Sequence, residues 1–150
     1  MNARLSRKQP RGGLVVPQQL TKANLVLPLT DVTTIFKYAN LIYEPQLGVR
    51  LVVGQIYLDN QGCANSIFDD LTRLRKWNKP SKQGLWHRFD TCSGGGVAYL
   101  GAICSDEYGA GVSYDISGGR TWLWFAHEVG RKYLMTTLPS RHAACLTSSY

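Results

Sequence analysis

From Asp31 onward the apolar residues fall into phase. Val32, Ile35, Phe36, Ala39, Ile42 and Tyr43 recur at the three- and four-residue spacing of one helical face. Asp31 is a good N-cap and Pro45 a stop, so the spacing predicts a helix over 31–43. Val49 to Leu58 is β-branched and apolar on both faces, the pattern of an interior strand. Asp59-Asn60-Gln61-Gly62 reads as a turn. Ala64, Ile67, Phe68, Leu71, Leu74 and Trp77 share one face of a second helix over 64–77, ended by Asn78-Lys79-Pro80-Ser81. Leu85–Phe89 and Val97–Cys104 read as strands, with a glycine loop at Cys92–Gly96 between them. Tyr108–Ile116 is ambiguous, with strand preferred. Thr121 to Leu138 is a third helix, ended by Pro139. Before Asp31 the pattern is broken by Pro10, Gly12, Gly13, Pro17 and Pro28, with Leu25–Leu27 as a short extended piece. This order of elements predicts an α/β domain whose sheet is packed on helices. It divides the chain into a flexible basic leader at 1–30, a domain at 31–138 and an irregular tail at 139–150.

Length and composition change this picture little. The chain has 150 residues, enough for one domain with one core, and no apolar run reaches membrane-spanning length. The start is basic without an apolar h-region, so it does not read as a secretory signal. The net charge is +7, carried largely by that start and by Arg73, Arg75, Lys76, Lys79 and Lys82. No nucleic-acid recognition motif accompanies it, so the second group reads as the solvated face of a helix, and no nucleic-acid partner is expected. Four cysteines, Cys63, Cys92, Cys104 and Cys145, allow three pairings if oxidised.

The candidate chemistry lies on the third helix. His127-Glu128-Val129-Gly130-Arg131 is most of H-E-x-x-H, in which two histidines four apart bind Zn²⁺ from one helical face and the glutamate acts as general base. Here the second histidine is Arg131. Arginine stays protonated and offers no lone pair, and its charge repels a dication. The ordinary alternative makes Glu128 and Arg131 an i,i+3 pair on an exposed face, and His127 a packed helical histidine.

The flanking residues carry a resemblance. Phe125-Ala126-His127-Glu128-Val129-Gly130 resembles the F-A-H-E-L-G start of the zinc helix in the reprolysins (adamalysins), the catalytic domains of ADAM-type metalloproteases. Gly94–Cys104 is similar to that family's G-G-x-V-G-L-A-Y-V-G-x-x-C segment, with a residue or two missing in the middle. Asn40-Leu41-Ile42-Tyr43-Glu44-Pro45 resembles its helix-to-strand passage, and His87-Arg88-Phe89 sits where a family H-L-F falls. The blocks occur in the family's order across residues 31–131.

The resemblance implies a metzincin-like mixed sheet packed on helices, here incomplete at both ends. It implies zinc as cofactor, peptide or protein substrates, peptide-bond hydrolysis, and a secreted or cell-surface, oxidising setting. The roles carried over are His127 as first metal ligand, Glu128 as general base, and Gly96, Val97, Ala98, Tyr99 and Leu100 as the edge strand that pairs with an extended substrate. The metzincin pattern H-E-x-x-H-x-x-G-x-x-H places Arg131, Leu134 and Thr137 where two histidines and a glycine belong. The similarity stops after Gly130, as truncation, missplicing or a frameshift would make it. The expectation is a zinc metalloendopeptidase-type domain impaired or inactive in hydrolysis. The alternatives are an active protease, a non-catalytic module that binds extended peptides at the edge strand, and a defective product.

Overall fold

The computed structural model describes residues 11–17, 26–59, 61–79, 83–92, 95–114 and 119–134. Its order is β1 (Arg11–Pro17), α1 (Val26–Leu47), β2 (Val52–Asp59), α2 (Ile67–Lys76), β3 (Leu85–Asp90), β4 (Gly96–Ala98), β5 (Ala110–Tyr114) and α3 (Thr121–Leu134). The five strands form one mixed sheet in the order β2-β1-β3-β5-β4. β1 runs parallel to β2 and β3, and β3 parallel to β5. β4 alone is antiparallel, on the outside of β5.

Alternation along β3 and β5 sorts the side chains into two layers. Leu85 and Phe89 join Val32, Ile35, Phe36, Ala39 and Tyr43 of α1 and Phe125, Ala126 and Val129 of α3 in one buried cluster. Trp86, Ala110, Val112 and Tyr114 face the other way, onto Leu71 and Leu74 of α2. The result is three layers: α1 and α3, the sheet, then α2. α1 and α3 come close because Gly130 has no side chain: a Cβ there would lie 3.1 Å from the Tyr43 hydroxyl, which donates to the Ala126 carbonyl.

Local chemistry sets the element ends. α1 starts earlier than Asp31 and runs through Pro45. It closes at Gly48 (φ +64°), whose N–H donates to Glu44 O while Val49 N–H reaches Tyr43 O, a glycine cap. The side chain of Asn40 then holds the next segment as a strand would, donating to Leu51 O at 2.8 Å and accepting from Leu51 N at 2.7 Å. α2 starts at Ile67, later than the apolar spacing suggests, because Ser66 caps it: its Oγ accepts from Asp69 N and donates to the Asp69 carboxylate. Phe68 therefore faces solvent, 65% exposed, and Asp70 takes a place in the interior. A Cys63–Cys92 disulfide ties the loop before α2 to the end of β3.

Three sequence expectations need correction. Arg11–Pro17 is a strand inside the sheet, not part of an irregular leader. Gly12 and Gly13, read as breakers, coincide with the register shift against β2, and Pro17 with the strand's last position; residues 1–10 lie outside the described residues. Because β1 fills the gap beside β3, β2 is an edge strand rather than the interior one its apolar run suggests, with Gly54, Gln55 and Tyr57 exposed. The strand expected over Val97–Cys104 is shorter, Gly96–Ala98. Turns follow, with Gly101 (φ +61°) and Cys104 (φ +66°) in left-handed backbone that a strand cannot use.

Candidate active site

α3 is pinned by its apolar side, where Phe125 and Val129 are fully buried, Phe125 against Phe36 at 4.7 Å between ring centroids. That anchor lays the next side of the helix along β4. Gly95 lies over the Trp124 ring and Gly96 over Glu128, and Gly101 N–H donates to Arg131 O at 3.2 Å. A Cβ at Gly96 would sit 2.8 Å from Glu128 Cγ, so the glycine is what lets strand and glutamate meet.

His127 and Glu128, adjacent in sequence, end in opposite environments. His127 is exposed, while Glu128 is 2% exposed. The exposed-face pairing of Glu128 and Arg131 is thus corrected: only Arg131 is on the surface, with its Nε 3.8 Å from Glu128 Oε2. Burial raises the Glu128 carboxyl above its ordinary range, and Arg131, His127 and Lys132 pull it part of the way back. Glu128 Oε2 accepts no hydrogen bond.

Arg131 Nε donates to His127 Nε2 at 2.8 Å. A guanidinium only donates, so Nε2 is the acceptor in this contact and its lone pair is in use. The donor chemistry of these residues does not fit zinc. Catalytic zinc takes three protein ligands and a water. Here the first ligand's lone pair is engaged by the residue that should be the second, and that residue is a cation. Thr137, the third position, lies outside the described residues. Among those described, the one cluster with metal-ligand spacing is Cys63, Asp90 and Cys92, whose cysteines are joined in the disulfide.

Of the expected substrate strand, Gly96, Val97 and Ala98 form β4, the last strand of the sheet. Tyr99 and Leu100 fall beyond it: Tyr99 packs edge-on to Tyr108, and Leu100 sits in a turn, 58% exposed. Sequence reasoning missed a buried polar group behind Glu128. Lys132, fully buried, lies with its Nζ 3.5 Å from Trp86 O, and His87 Nε2 is 2.9 Å from Ser113 Oγ. Burial, only partly offset by Glu128, lowers the Lys132 ammonium to about 7. Burial and then Lys132 push the His87 imidazole well below its ordinary value. A lysine beside Arg131 reads as solvated; only its spacing four residues after Glu128 hinted at a shared face.

A parallel-rich sheet between helices, with an H-E helix laid across an antiparallel edge strand, defines a metallopeptidase-type domain. The chain belongs to Metallo-peptidase family M12, whose family profile matches residues 29–133. No curated protein sequence matches it. Among solved structures it is similar to a chain in a structure described as a chaperone–substrate complex (TM-score 0.62, 17% identity, 83% of this chain and 23% of that one). It is similar also to metalloproteinase-II from Bacteroides fragilis (TM-score 0.56, 13% identity, 84% of this chain and 42% of that one). The chain thus spans less than half the length of either, and at these identities the likeness is one of fold.

Proposed function

We propose that this chain is a reprolysin-type zinc metalloendopeptidase domain, of the class that hydrolyses peptide bonds, in which hydrolysis is impaired and the peptide-holding edge is kept. The Arg131–His127 hydrogen bond carries this reading: it engages the imidazole lone pair that a metal would need. Glu128 keeps the general-base position, buried under β4. No hydrolytic step is derived through a metal that these residues do not fit. The Cys63–Cys92 disulfide is consistent with the oxidising, extracellular setting of such domains, and no described helix is long and apolar enough to cross a membrane.

Metal analysis of the purified, dialysed protein tests the proposal. The expected zinc content is far below stoichiometric, with no peptide cleavage that stops on chelation; stoichiometric zinc refutes the loss. Arg131→His is expected to raise zinc affinity by about tenfold or more, since it adds an imidazole and frees the one already present. Peptide binding that persists in chelator supports the non-catalytic module, because β4 needs only its own backbone to pair with a strand.

A further inference from the structure

At the edge of the sheet opposite β4, α1 and β2 border a groove of about 620 Å³. Phe36, Pro45, Leu51 and Val53 give it apolar walls, and Lys37, Glu44 and Arg50 line it too. Lys37 is exposed, and the half-exposed Arg50 has its Nε 3.3 Å from Glu44 Oε1. The lining thus sets two cations against one carboxylate that is already paired, so the groove is net positive. Val53 belongs to β2, and the groove therefore opens onto the sheet edge. Among the described residues β2 forms a ladder with β1 alone. From Val52 to Leu58 it has neither a charged residue nor a proline, the devices that keep an edge from taking another strand. At eight residues it offers a longer template than the three of β4.

We propose that the β2 edge takes an added strand from an acidic segment of another protein. Alternate side chains of an added strand point to one face of the sheet, here toward α1 and the groove. An apolar side chain there meets the Phe36 and Val53 walls, and a carboxylate two residues on meets Lys37 and Arg50. β4 plays no part in this. The occupant's charge follows from the lining, and this chain does not supply it. No Asp or Glu occurs before Asp31 or after Glu128, whereas both stretches carry Lys and Arg. A second copy would bring a further net charge of +7 to a groove that is already positive.

The test is fluorescence polarisation with a labelled, end-capped heptapeptide Thr-Val-Thr-Glu-Thr-Val-Thr and its counterpart with Gln for Glu. The Glu peptide is expected to bind about fivefold tighter, as two solvent-facing ion pairs allow. Lys37→Gln together with Arg50→Gln should erase that preference and leave the Gln peptide's affinity unchanged. Lys37→Gln alone, at an exposed position, should remove part of it with the Arg50–Glu44 pair intact. Circular dichroism checks that the variants fold. N-methylation of alternate peptide amides should abolish binding in one of its two phases, because only one set of amides faces β2. A preference that survives the double substitution, or full binding by both N-methylated peptides, overturns the proposal. Binding of neither heptapeptide does the same. A dimer of the chain alone, seen by sedimentation velocity and dissociated by the peptide, assigns the edge to a second copy and also overturns it.

Discussion

The two faces of β3 and β5 hold polar groups at equal depth and treat them differently. On the α2 face, Arg88 pairs with Asp90 at 2.8 Å and donates to Gln61 O at 2.7 Å. Asp70 there accepts from the Tyr114 hydroxyl at 2.6 Å, from Arg73 and from the Ala64 amide. The disulfide closes that side. On the α3 face, His87 reaches Ser113, but its Nδ1 has no hydrogen-bond partner, nor has Glu128 Oε2, and Lys132 has a carbonyl only at the limit of bonding distance. Buried polar groups normally find partners, and the α2 face too leaves a neutral one without, Trp86 Nε1. The α2 face is polar for stability. On the α3 face Glu128 and Lys132 are buried without the close pairing that Arg88 and Asp90 have.

That contrast can be broken from either side. The largest effect is expected for Asp70→Ala, which strips three donors of their buried acceptor; it should destabilise by about 3–5 kcal/mol in chemical denaturation. A loss under about 1 kcal/mol would mean that the α2 network contributes little. Lys132→Met should act the other way, stabilising by about 1–3 kcal/mol, because a buried ammonium without good partners gives way to an apolar chain of similar length. Gly96→Ala should cost about 1–3 kcal/mol, since Glu128 must move off a Cβ 2.8 Å away; an unchanged denaturation midpoint would show that Glu128 swings aside freely.

The pH dependence is the most diagnostic. The folded Lys132 pKa, about 7, lies below its unfolded 10.5, so between them the unfolded chain binds more protons. Stability should therefore rise with pH from about 7 toward 10. His87, also lowered, adds a rise below pH 6.5, whereas Glu128, raised, gives a fall as pH climbs past 4.5. Above pH 10 the trend reverses, because Tyr43, Tyr114 and Tyr133 are raised and the unfolded chain ionises first. Denaturation midpoints against pH read this directly, and Lys132→Met should flatten the rise above pH 7.

Much of the fold was legible where local pattern and tertiary demand agree. The α1 stripe from Val32 to Tyr43 is buried as its spacing requires, except for the half-buried Ile42, while Leu85–Phe89 covers all but the last residue of β3 and Tyr108–Ile116 contains β5. β1 was not legible, because its glycines and Pro17 look like loop residues and only its neighbours in the sheet make it a strand. The length of β4 was misread for the converse reason: Val97 to Cys104 is apolar enough for a strand, but left-handed positions at Gly101 and Cys104 turn the chain away.

At the site, sequence alone determined the donor chemistry. A guanidinium four residues after His127 cannot ligate a metal in any fold, because it has no lone pair to give. The same chain order also carried the family assignment. What only the tertiary structure decided is which of these groups meet water. Packing Phe125 and Val129 into the core turns Glu128 under Gly96 and buries Lys132, while leaving His127 and Arg131 bonded to each other at the surface. Those depths depend on which strand crosses which helix, and that is set by contacts between residues far apart in the chain.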